Sequence, residues 1–98
     1  MEWQWMKELQ CQIDDEIKGS FEYIMTALKM KESDRVSADM YYSMAQQEMN
    51  HASTLLSMMS NKVRSDGSEQ VAIVYNFLHS MIVDKMSDLT AQMTQYKS

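Results

Sequence analysis

The sequence predicts an all-α fold of three long helices, and three observations carry that expectation. Proline is absent from all 98 residues, only two glycines occur, and turn-forming residues cluster in two places. Strand-length apolar runs bounded by turn residues are missing, so there is little from which to build a sheet.

The first helix is expected near residues 3–30, an amphipathic stretch that ends at Lys31-Glu32-Ser33-Asp34. Ser33 or Asp34 can cap the next helix, because a short polar side chain satisfies the free amides of a first turn. The second helix then runs near 34–62. It is followed by Arg64-Ser65-Asp66-Gly67-Ser68, where Asp66 and Glu69 have capping-box spacing. A third helix is expected near 68–95. Each would be roughly 40 Å long at about 1.5 Å per residue. The chain has the length of one domain, residues 1–98, and no linker divides it.

Composition excludes several classes. A formal charge of −5 and a pI near 4.8 argue against nucleic-acid binding, which needs a basic face to neutralise phosphate. The longest aliphatic run, Val71 to Val74, is far too short to span a membrane. The N-terminus, Met-Glu-Trp-Gln-Trp, lacks the basic and apolar parts of a signal peptide, so an intracellular, cytoplasmic location is expected. Cys11 is the sole cysteine, which rules out an internal disulfide framework and any multi-thiolate zinc site.

The helix interiors carry the chemistry. On the first helix, heptad-like spacing selects Met6, Leu9, Ile13, Glu16, Ser20, Tyr23 and Ala27 as the seam. On the second, the same spacing selects Ser37, Tyr41, Met44, Glu48, His51, Leu55 and Met58. Each apolar seam thus holds acid groups near its middle. A buried carboxylate without a partner is costly or shifts its pKa until neutral, so a shared metal ion is the economical explanation. Glu48 and His51 have i, i+3 spacing, which places an oxygen and a nitrogen donor on one face. Glu16 and Glu48 are each sixteen residues from position 32, so an antiparallel hairpin brings them level.

The alternatives at each residue are plain. Glu48 and His51 can be a satisfied polar pair at a helix contact. His79, beside Tyr75 and Ile82 on the third helix, can be a packed histidine; closed over the hairpin, it would join Glu16, Glu48 and His51 around one metal. Asp14, Asp15 and Glu22 fall off the seam and read as solvated surface, and Cys11 as a buried, inert thiol. The twelve methionines form no Met-x-x-Met ladder and have no thiolate partners. They therefore read as core filler and adaptable interface contacts, not as a Cu(I) site.

The stretch from Glu16 to His51 resembles the ferritin-like superfamily, particularly its rubrerythrin branch. Glu16, Tyr23 and Ala27 fit that family's first-helix pattern, and Ala38, Tyr41, Ala45, Glu48, His51 and Ala52 fit its second-helix pattern. Val74 to His79 is also similar to the C-terminal segment of short ferritin-like proteins encoded by bacteria and phages. The resemblance implies a di-iron carboxylate centre and Fe(II) oxidation or peroxide-linked redox activity, while carboxylate and imidazole ligands suit manganese or zinc as well. Tyr23 would support a ligand carboxylate or quench an oxidising species. A complete site of this kind takes one Glu from each of two helices and Glu-x-x-His from each of two more. This chain has one of each. The resemblance therefore implies a homodimer or higher homo-oligomer, as in encapsulated ferritins, with a four-helix bundle completed by pairing. It also implies an external reductant, since the paired cysteines of a rubredoxin-like domain are missing here. A mononuclear site, or a metal-free ferritin-like scaffold recruited for interaction, are the other readings.

Overall fold

The structure, a computed structural model, describes residues 3–98, which form three α-helices and no strand. Helix α1 spans Gln4–Met30, α2 Arg35–Asp66 and α3 Glu69–Lys97. They run antiparallel in sequence along a rod 52 × 17 × 15 Å in extent. Among the described residues, no helix is long and apolar enough to cross a membrane.

The turns follow from local chemistry. Asp34 caps α2, its carboxylate accepting the Ser37 amide at 3.1 Å. The second turn differs from the capping box expected at Asp66 and Glu69. Gly67 sits at φ 71°, in the left-handed region, and donates its amide to the Val63 carbonyl at 3.2 Å. That closure keeps Asp66 inside α2, beyond the expected end near 62. Ser68, in extended conformation, is the actual cap of α3 and accepts the Val71 amide.

The buried stripe of α1 is Met6, Leu9, Ile13, Ile17, Ser20, Ile24 and Ala27. That of α2 is Ala38, Ala45, Ala52, Met59 and Val63. Both correct the expected seams by one residue at several points. Ile17 and Ile24 replace Glu16 and Tyr23, while Ala45, Ala52 and Met59 replace Met44, His51 and Met58. Steric economy explains the shift: alanine at every seventh position lets the two helix axes approach closely. The contact is tight enough for the buried Ser20 hydroxyl to donate to the Ala45 carbonyl at 2.6 Å.

Helix α3 closes the bundle from one side with Val71, Ile82, Leu89, Met93 and Tyr96. Its end is fastened by Tyr96, which is stacked on Tyr42 at 5.0 Å and donates its hydroxyl to Asp39 at 2.5 Å. Midway, Lys85 of α3 pairs with Asp14 of α1 at 3.1 Å. Asp14 precedes Glu16 by two residues, about 200° around a helix, so α3 lies on the side of α1 away from Glu16. The Glu16 face is left open.

One further expectation is corrected. Cys11 is exposed, not buried. It stands two residues from both Leu9 and Ile13, hence on the opposite side of α1 from the core stripe. The methionines divide: Met6, Met59 and Met93 fill the core, whereas Met25, Met40, Met44, Met58 and Met81 are exposed. Met1 lies outside the described residues.

Candidate metal centre

Three side chains from two helices converge on the open face. The turn at residues 31–34 lies midway between Glu16 and Glu48, so the hairpin sets them level. His51 Nδ1 lies 3.5 Å from Glu16 Oε2 and 3.5 Å from Glu48 Oε1. One donor atom from each of the three residues falls within 4.8 Å of the others, a spacing that a single ion can bridge. The group comprises Glu16, Glu48 and His51; His79 is not part of it. That histidine lies against the Tyr75 ring at 5.4 Å on α3, the helix that packs away from the Glu16 face.

Burial within the cluster is uneven. The Glu16 and Glu48 side chains are 26% and 28% exposed, while that of His51 is 60% exposed. Glu16 Oε2 is itself buried and has no hydrogen-bond partner. A buried carboxylate oxygen that makes no hydrogen bond, though His51 Nδ1 stands 3.5 Å away, is unfavourable, and a cation at that point would satisfy it. The donor set therefore suits a metal: two hard carboxylates and an imidazole, compatible with iron, manganese or zinc. An open cleft of about 460 Å³ reaches the cluster, lined by Gln12, Asp15, Glu16, His51, Thr54 and Leu55.

Partial burial, followed by the charge of Glu16 beside it, pushes the Glu48 carboxyl above its ordinary value of 4.5, while His51 pulls the other way. The consequence for stability has a definite sign. The folded chain holds this proton more tightly than the unfolded chain, so stability falls as pH rises from the ordinary value through the raised one. Above that window the ionised pair remains a net cost in the metal-free protein. Glu48→Gln is therefore expected to raise the melting temperature in chelator at pH 7. The gain should vanish below pH 4, where both forms are neutral. Thermal melts of the two proteins across pH check this, and equal melting temperatures at pH 7 would contradict it.

Tyr23 is half-buried with its ring tilted against Tyr41, centroids 6.1 Å apart. Each tyrosine is seven residues from a cluster carboxylate, about 10 Å along the helix axis. It stands beside the cluster on the same face, not within it. Asp15 and Glu22 are exposed, as expected, and Asp14 is occupied by Lys85. The residue that sequence reasoning missed is Gly19. It stands one turn after Glu16, and the Glu48 carboxylate lies over it. Its signal was there to be read: a glycine inside a helix, away from any turn, calls for a reason.

No protein-family model, curated protein or solved structure matches the chain.

Proposed function

We propose that the chain is a metal-binding helical protein in which Glu16, Glu48 and His51 form half of a dinuclear iron centre, completed by a second copy. The observation that carries this reading is the convergence of two carboxylates and an imidazole within 4.8 Å on the face that α3 leaves open. One chain supplies one Glu and one Glu-x-x-His. Two chains about a twofold axis supply four carboxylates and two imidazoles, the full ligand set of a ferritin-like di-iron bundle.

The surroundings suit such a pairing. Met44 and Met58 are exposed on α2 to either side of Glu48 and His51. Covering that stripe with its symmetry mate buries apolar surface and removes water from the cluster. Bound iron supplies oxygen- or peroxide-linked redox chemistry, of ferroxidase or peroxide-reducing type. The chain's own residues hold the ligands in place: Glu16 presents its unpartnered oxygen, and His51 donates an imidazole nitrogen one turn from Glu48. With Cys11 as the sole thiol, a reducing cycle draws electrons from an outside donor. A mononuclear site is the second reading, favoured by the fact that one chain already brings three donors to one point.

Native mass spectrometry after loading with Fe(II), Mn(II) or Zn(II) separates the readings. The expected species is a dimer, or a multiple of it, with two metals per pair of chains. A monomer holding one metal establishes the mononuclear site instead. A protein that retains no metal overturns both and leaves a helical scaffold.

A further inference from the structure

Gly19 lies in the middle of α1, which runs unbroken from Gln4 to Met30. Its backbone is not left-handed, a conformation found among the described residues only at Gly67, so no turn requires a glycine there. Glycine is among the poorest helix formers, and alanine would favour α1. Something other than backbone geometry must keep the side chain out.

The space where a Cβ would stand is already filled. An added Cβ at Gly19 would lie 2.7 Å from Glu48 Oε2, 3.6 Å from Cδ and 3.8 Å from Cγ. These three nearest atoms all belong to one side chain of the cluster, and none is backbone of α2. Close helix approach therefore does not explain the glycine. The 2.7 Å separation is too short for a real carbon, and the flexible end of Glu48 is what would give way.

We propose that Gly19 is a positioning residue: its missing side chain forms the notch that seats the Glu48 carboxylate beside Glu16 and His51. This rests on reading the cluster as a metal site. It explains why Gly19 falls one turn after Glu16, since that is the face on which Glu48 must cross from α2 to α1. A methyl group at this position evicts the carboxylate while leaving the helices in place.

The test has a metal arm and a metal-free arm. In Zn(II) titrations by calorimetry, Gly19→Ala is expected to weaken binding about 10-fold or more, the scale of losing a group that orients a ligand. In chelator, melting temperatures are compared for wild type, Gly19→Ala, Glu48→Ala and the double variant. With Glu48 removed, alanine at 19 should raise the melting temperature by about 4 °C or more, the full helix-propensity gain. With Glu48 present the gain should be smaller, because the carboxylate must move. Equal changes in the two backgrounds, including equal losses, overturn the notch. Unchanged zinc affinity in Gly19→Ala overturns its positioning role. If wild type binds no zinc while the two gains differ, the notch stands and the metal reading fails.

Discussion

Replacing Glu48 by alanine is expected to lower the affinity for Fe(II), Mn(II) or Zn(II) by about 100-fold or more and leave the helical fold intact. The magnitude follows from the small donor set. Loss of a group that merely orients a ligand costs 10–100-fold, and Glu48 is proposed as a ligand itself. The fold survives because Glu48 lies outside the buried stripe of α2 and its removal relieves the repulsion from Glu16. Aerobic addition of Fe(II) is expected to give a ferric absorbance in wild type and none in this variant. Circular dichroism should show the same helix content in both. Glu22→Ala is the matched control: it removes the same charge from an exposed position on α1 and should leave metal affinity unchanged. His79→Ala should also bind like wild type, since that side chain packs on Tyr75 outside the cluster. Full affinity in Glu48→Ala would remove the basis for a metal centre here.

The architecture was legible because it depends on few decisions. Without proline, helices stop where a capping residue and a polar turn coincide: Asp34 marks the first place as expected, while at the second the turn was legible but its cap, Ser68 instead of Asp66, was not. The level placement of Glu16 and Glu48 was legible too, from counting outward to the hairpin turn. The seam was harder, because neighbouring positions compete. Tyr23 stands beside Ile24, Met44 beside Ala45 and Met58 beside Met59. Side-chain size and heptad spacing favour Met44 as a core residue. Close packing of two helices favours Ala45, since small side chains let the backbones approach. Only the interhelical distance decides, and that distance is a property of the pair, not of either helix alone. The same holds for Gly19, whose reason for being glycine lies on the other helix. Cys11 shows the simpler failure: its chemical character suggested burial, whereas its angular position two residues from Leu9 and from Ile13 put it outside.

Ala45→Leu is expected to be the most damaging conservative change in the hairpin. Ala45 is fully buried, and its carbonyl accepts the Ser20 hydroxyl at 2.6 Å. Leucine is nearly as good a helix former as alanine, so α2 itself loses little. The added carbons have no space between α1 and α2. Overpacking of this kind costs about 1–3 kcal/mol, which corresponds to a fall of roughly 6–15 °C in melting temperature for a domain of this size. Forcing the helices apart also stretches the span between Glu16 and the Glu48–His51 pair, so metal affinity should fall with stability even though no ligand is altered. Met44→Ala is the informative comparison. It removes about as much side chain at the preceding position as leucine adds at 45, yet Met44 is 36% exposed, and in chelator the change should stay within about 0.5 kcal/mol. Melts of the two variants, run metal-free, therefore locate the seam directly. If Met44→Ala proves the more harmful, and its loss does not depend on protein concentration as loss of a dimer contact would, then Met44, Glu48 and His51 form the buried stripe, and the cluster is an interior polar pair instead of a site facing a second copy.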